Sequence, residues 1–573
     1  MKAWLLVPAR GGSKGIPRKN LRLLAGKPLV LHLVERMSQA FGPAQVIVST
    51  DDREIAHLCE ALARVHDRSN QLADDKATLD DVAVAVGRWL LEQGADADDA
   101  FLTLQPTSPF LTVAAVEQSV RLLAEARSIV SVRDDRHLRW TRDEAGQARP
   151  LFEKRVNRQW LEPTLAETGG VIGCRIGDLL EHGSRIVEPT ALLELDDHEG
   201  LDIDDYADWA VAEFIASRRR IMIRADGAPT LGMGHAYRAL ALAHELGDQH
   251  LMIAVRRDGD HRLGAEFLQR HPYPVTLLDG EEPFFDLLQR FEPDLTIVDL
   301  LDTSEAYARR VRQHTGRLVH LEDLGPGARL ADVVINDLYT DLYPQANHWY
   351  GVSNAILAPH FETVRPRQLT PDDVEHVLVT FGGTDPANLT HKALAALAQI
   401  DFAGRVTVVL GPGYAHGEVD IAAYGLEGEL LRSVPNMAIV MRDADLALTS
   451  AGRTVTELMC LGVPSIVLCQ NVRELRHTHA SSPFGVVNLG LGEHVSVEAV
   501  AEHLRLLVDD AELRRSMRYR AAQAVQGRSN RDVARRILQA TLETDAKTPA
   551  EAADEASPAA GTHRPPPIAQ EPP

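Results

Sequence analysis

Short apolar runs alternate with segments of helical spacing from the first residues onward. Residues 3–7 read as a strand buried on both faces, since every position is apolar. Leu29, Val30, Leu33, Val34 and Met37 then fall on one face of a helix. Residues 45–49 and 100–104 add further strands. Such alternation predicts a parallel sheet covered by helices on both faces. The pattern runs to a helix over 205–217 and ends at the basic cluster Arg218, Arg219 and Arg220.

A new strand opens at residues 221–223, which sets a domain boundary near 219. Strand patterns at 251–255, 275–278, 295–299, 318–321 and 333–336 predict one α/β lobe over 219–370. A polar, proline-bearing connection over 365–373 leads to a second lobe over 371–542. Its strands are read at 375–381, 406–410, 446–449 and 465–469. Two such lobes leave a cleft between them, where ligands tend to bind. Residues 543–573 are rich in Ala, Pro and Glu and lack apolar periodicity, so they read as a disordered tail.

Size and charge narrow the picture. The chain has 573 residues, too many for one ordinary core. With 60 Lys and Arg against 82 Asp and Glu, the net charge is −22. That argues against a nucleic-acid partner, because phosphate backbones reward positive surfaces. Anionic small substrates then need local basic clusters. Cys59, Cys174, Cys460 and Cys469 are scattered, with no CxxC pair for a disulfide framework or thiolate zinc site. No stretch approaches the ~18 apolar residues of a membrane span, and the opening run is too short for a signal peptide. The expectation is a soluble cytoplasmic protein with no membrane partner.

One basic cluster directly follows the first strand. Residues 8–20 hold Arg10, Lys14, Arg18 and Lys19 among Gly11, Gly12, Ser13 and Gly15. Glycines let backbone amides approach a bulky anion, and the cations suit a triphosphate whose charge shifts onto leaving pyrophosphate. The loop is no Walker A motif. Asp202 and Asp204, one residue apart on an extended segment, point to one side and can share a hard cation. Helix N-capping is the competing role, since Asp205 and a helix follow.

The string ARGGSKGIPRKN over 9–20 resembles the signature of the cytidylyltransferases that activate sialic-type nine-carbon sugars and the related eight-carbon acid of lipopolysaccharide. Residues 68–75, 104–109 and 201–204 resemble that family's later motifs in order, so the similarity covers residues 1–218. The resemblance implies a Rossmann-like nucleotidyltransferase that transfers CMP from CTP to a nonulosonic acid. It implies that Arg10, Gly11, Gly12, Ser13, Lys14 and Lys19 hold the triphosphate, with Arg68 and Gln105 near the acceptor sugar. Asp202 and Asp204 would hold Mg²⁺, and a homodimer through this domain is implied. The segment Glu167-Thr168-Gly169-Gly170 departs from the Asn-Gly of many relatives, which leaves the sugar open.

The second half offers weaker signals. His235 follows the glycine turn Gly232-Met233-Gly234 at a helix start. A lone histidine is more often structural than catalytic, but this placement faces a cleft. The loops at 381–386 and 449–454 follow strands and could present amides to a diphosphate. His477 and His479 suggest a metal pair without a third ligand; a solvated or substrate-facing loop is the alternative. Residues 221–540 resemble the UDP-sugar hydrolases of pseudaminic acid synthesis and related spore-coat polysaccharide proteins, which share the two-lobed glycosyltransferase-B fold. That resemblance implies hydrolysis of UDP from a 2,4-diacetamido-trideoxyhexose. His235 would activate water; Asp226 and Gly234 would lie in the substrate site; Ser450, Gly452, Thr454 and Glu457 would hold the UDP. A true glycosyltransferase and a non-catalytic nucleotide-sugar-binding module remain alternatives for this half.

Overall fold

The computed structural model describes the chain except residues 1, 14, 75–76, 229–231, 341–346, 368–371, 433 and 541–573. Lys14, Asp75, part of the 365–373 connection and all of the expected tail therefore lie outside the described residues. Two compact units result, Met1–Arg218 and Arg219–Pro573.

The first unit is built on a seven-stranded sheet. Its order is Thr190–Glu194, Ser128–Asp134, Leu165–Arg175, Ala100–Leu104, Ala3–Pro8, Val46–Thr50 and Arg64–Asp67. The first strand shows why it had to be apolar throughout. Leu5 and Val7 pack with Val30, Leu33 and Val34 of helix Leu29–Phe41 and with Val116 of helix Val113–Leu122. Trp4 and Leu6 point the other way, onto Val86 and Leu90 of helix Leu79–Glu92 and Leu179 of helix Ile176–His182. Each buried Leu contributes about 1.5–3 kcal/mol. The sheet departs from the all-parallel expectation in one strand: Leu165–Arg175 runs antiparallel to both neighbours. Its register breaks between Glu167 and Ile172, so Thr168, Gly169 and Gly170 bulge out of the ladder.

The second unit carries two wholly parallel sheets. One runs Val275–Leu278, His250–Arg256, Arg220–Ala225, Leu295–Asp299, Arg317–Leu321, Val333–Asn336, His348–Tyr350. The other runs Glu427–Arg432, Arg405–Leu410, His376–Val379, Leu446–Thr449, Ser465–Cys469, Val486–Leu491. Each order reverses once, between Arg220–Ala225 and Leu295–Asp299 and between His376–Val379 and Leu446–Thr449. A crevice opens beyond the strand ends at such points. The last helix, Asn530–Ala540, follows the second lobe in sequence, yet Val533, Ala534 and Ile537 pack into the first lobe's core. Asn530 fixes that return by exchanging two hydrogen bonds with the backbone of Leu357, at 2.6 and 3.0 Å.

The four cysteines are free thiols. Among the described residues no helix is long and apolar enough to cross a membrane.

Candidate active sites

In the first unit the sheet order reverses between Ala3–Pro8 and Ala100–Leu104, and the basic loop and Gln105 follow those two strand ends. Buried Ile16 packs with Leu201, Ile203 and Trp209, which ties the loop to the acidic segment. The approach is close: a Cβ on Gly15 would lie 2.4 Å from the Asp204 carbonyl oxygen, so only glycine fits. Gly11 is confined likewise, 2.6 Å from Asp52 Oδ2, and its amide donates to Asp51 Oδ1 at 3.0 Å. Gly12 and Ser13 are less enclosed, Gly12 being exposed with open space where a side chain would be. The Arg10 carbonyl accepts from Asn20 Nδ2 at 3.0 Å. Lys19 Nζ donates to the Ile203 carbonyl at 2.5 Å and lies 3.7 Å from Asp204 Oδ1.

The capping question has a clear answer. Asp205 and Asp208 cap helix Tyr206–Ala216 reciprocally, Asp205 Oδ1 accepting from Ala207 and Asp208 amides at 2.7 and 3.0 Å. Asp202 and Asp204 take no part through their side chains. Asp202 Oδ1 is buried and has no hydrogen-bond partner among the described residues. Burial raises the Asp202 pKa and the Asp204 charge adds to the rise, against the Lys19 cation. The bulge completes the site: Gly169, at φ +71°, sits so that a Cβ would be 2.6 Å from Gln105 Nε2 and 3.6 Å from Asp202 Oδ2. Arg68 is buried and donates to the Ser49 carbonyl at 2.8 Å. Burial lowers its pKa, Asp51 opposing and Arg10 adding to the shift.

In the second unit a cavity of about 320 Å³ lies where both sheets reverse. Gly234, His235, Ser450, Gly452, Thr454 and Glu457 all line it. Asp226 does not: it is 3% exposed, paired with Arg224 through both oxygens at 2.6 and 2.9 Å, and accepts from the Arg256 amide at 2.9 Å. Its pairing holds buried Arg224 in place, away from the cavity lining.

His235 is buried, and its Nδ1 lies 2.6 Å from Asp299 Oδ1. A carboxylate can only accept, so Nδ1 carries the hydrogen and Nε2 keeps its lone pair. Arg238 donates to both oxygens of Asp299, Nε at 2.6 Å. Burial alone would raise the Asp299 pKa, but Arg238 and His235 outweigh it and keep the carboxylate ionised. Arg453, from the second lobe, reaches Glu322 of the first and approaches Asp337 at 3.8 Å. Gly234 makes room for it, since a Cβ there would stand 2.8 Å from Arg453 Nη1. Burial pushes Asp337 up to about 7 and does the same for Glu457 and Glu474.

His477 and His479 are buried, so the solvated-loop reading gives way. Both ring nitrogens of His479 face carbonyl oxygens, Leu338 at 3.2 Å and Gly452 at 3.1 Å, so neither is open to a metal. Among the described residues the one group of three metal-capable side chains is Asp178, Glu181 and His182, already engaged in part by Arg127.

Comparison with known proteins agrees with this division. The cytidylyltransferase family model matches residues 4–142. A CMP-N,N'-diacetyllegionaminic acid synthase of Legionella pneumophila is 32% identical over 223 residues, 37% of this chain and 95% of that protein. The chain belongs to the cytidylyltransferase family. Beyond the cytidylyltransferase unit, the glycosyltransferase family 28 C-terminal domain model matches residues 376–537. A spore coat polysaccharide biosynthesis protein of Bacillus subtilis is 28% identical over 309 residues, 52% of this chain and 91% of that protein. An uncharacterised protein of Methanocaldococcus jannaschii is 29% identical over 273 residues, 44% of this chain; the chain spans 56% of that relative's length. The whole is thus a cytidylyltransferase fused to a glycosyltransferase-B-like unit.

Sequence reasoning missed Asp299, Glu322, Asp337 and Glu474. Asp299 had a signal, because it ends a strand read over 295–299, where α/β sheets carry their ligands. Glu322 and Asp337 also stand just beyond strand ends, but acidic residues there are too common to single out.

Proposed function

We propose that the cytidylyltransferase unit transfers CMP from CTP to a nonulosonic acid and that the second unit hydrolyses a UDP-sugar. In the first reaction the sugar's anomeric hydroxyl oxygen bonds to the α-phosphorus and loses its proton. The bond to the β-phosphate breaks, and pyrophosphate leaves. The supporting observation is the convergence of the basic loop, Gln105 and the acidic segment through the Gly15 and Gly169 contacts. Arg10, Lys19 and the loop amides neutralise and orient the triphosphate. The relative from Legionella supports an acceptor of the legionaminic type. Mg²⁺ fits the residues present: the unpartnered Asp202 oxygen and exposed Asp204 offer hard ligands, and a cation would relieve the raised Asp202 pKa. When bound it would offset the charge of the phosphates.

In the second unit His235 Nε2 takes a proton from water as the water oxygen bonds to the anomeric carbon. The bond to UDP breaks, and the amides near Ser450 and Gly452 receive the diphosphate. The His235–Asp299 pair inside the cavity supports this reading. Transfer to an acceptor sugar is the second reading, favoured by the glycosyltransferase family that matches this region. Incubation with CTP, Mg²⁺ and a panel of nonulosonic acids, then with UDP-diacetamido sugars and no acceptor, tests both units by product mass. No CMP-sugar would refute the first activity. Absence of UDP release without acceptor would refute hydrolysis.

A further inference from the structure

His477 stands apart from the residues so far given a role. It lines the cavity, is 6% exposed, and directs Nδ1 to the Ala451 carbonyl at 2.8 Å. A carbonyl only accepts, so Nδ1 bears the hydrogen and Nε2 is a bare lone pair. That nitrogen is buried without a hydrogen-bond partner among the described residues. The ring cannot swing away to satisfy it, because Tyr339, fully buried, meets it edge-on at 5.3 Å and 89°.

A buried acceptor left unpaired costs free energy that a ligand donor recovers. The surroundings say which donor. Ala451 lies between Ser450 and Gly452, where the diphosphate is placed, whereas Tyr339 belongs to the lobe that carries His235. The ring therefore bridges the loop proposed to hold the diphosphate and the lobe that carries His235.

We infer that His477 Nε2 accepts a hydrogen bond from the sugar of the bound nucleotide-sugar, through a hydroxyl or an acetamido N–H, and so selects sugars that present a donor at that point. The inference rests on the UDP-sugar reading of the second unit. His477→Asn can keep an amide donor for Ala451 while removing the acceptor at the Nε2 position, which the shorter side chain does not reach. Calorimetry on the full chain with UDP, UDP-glucose and UDP-N-acetylglucosamine reads the effect. The expected result is UDP affinity within about twofold of the parent and UDP-N-acetylglucosamine affinity about tenfold lower, the size of one such hydrogen bond. Equal loss for UDP-glucose points to a hydroxyl donor; loss confined to UDP-N-acetylglucosamine points to the acetamido N–H. A parallel fall in UDP affinity, or no sugar-specific change, overturns the inference and makes His477 a loop support. Failure of the parent protein to bind any of the three nucleotides overturns the UDP-sugar reading and the inference with it.

Discussion

The two sites solve opposite electrostatic problems. The cytidylyltransferase site leaves charge in reserve: the Asp204 side chain is 81% exposed, and among the described residues the buried Asp202 Oδ1 has no hydrogen-bond partner. The cavity of the second unit spends its charges internally: Asp299, Arg238, Glu322 and Asp337 are buried, and together with half-buried Arg453 they engage one another. A triphosphate with its cation brings more charge than a fold can neutralise beforehand, so its site must stay incomplete until loaded. A histidine that takes a proton from water needs the reverse, a ring already oriented before the ligand arrives.

The sharpest way to break this contrast is to remove the oriented base. His235→Ala is expected to lower UDP release by about 10²–10⁴-fold, the usual worth of a general base, while CMP transfer stays at the parent rate. Coupled assays for UDP and pyrophosphate on one preparation check this; loss of both activities would join the sites functionally. The reciprocal change is Lys19→Ala. It should cost CMP transfer about 10²–10³-fold and leave UDP release unchanged. Asp299→Asn refines the first experiment, because an amide can donate to Nδ1 and favour the wrong tautomer. UDP release should fall about a hundredfold or more, with KM for the UDP-sugar nearly constant. A rise in KM alone would reduce Asp299 to a packing role.

Asp202→Asn probes the reserve of charge in the other site. The Mg²⁺ concentration for half-maximal CMP transfer should rise about tenfold. An unchanged titration would return the acidic segment to a structural role, although Asp205 and Asp208 already cap the helix without it.

The contrast also governs what was legible. Residues 295–299, 446–449 and 465–469 show as strands because central parallel strands are apolar on both faces. Glu427–Arg432 shows no pattern: it is an edge strand with its residues largely exposed. Leu165–Arg175 was obscured by Gly169, Gly170 and Gly173, which the bulge and the close contact with Phe101 require. The basic loop was visible because its charges are local in sequence. The Asp299–Arg238–Glu322–Arg453 network was not, because its members come from distant strand ends and a different lobe.

The smallest expected effect is a pH dependence carried by the buried carboxylates of the second unit's cavity. Asp337, Glu457 and Glu474 titrate near 7 in the fold against about 4 to 4.5 unfolded, because burial penalises their ionised forms. The folded state therefore binds more protons than the unfolded one between those limits. Their contribution is full below the unfolded values and is lost as pH rises through 7. His477 and His479 run the other way, held down to about 3 and 4 by burial, so they withdraw stability as pH falls below about 6.5. Lowering the pH from 8 to 6.5 should thus stabilise the second unit by roughly 2 kcal/mol, because the three carboxylates outweigh the two histidines in that range. Thermal melts across that range check it, and Glu457→Gln should flatten the rise by about a third. A stability that climbs steadily from pH 6.5 to 8 would mean these carboxylates stay ionised in the fold, and the cavity would then be no drier than the open site it is contrasted with.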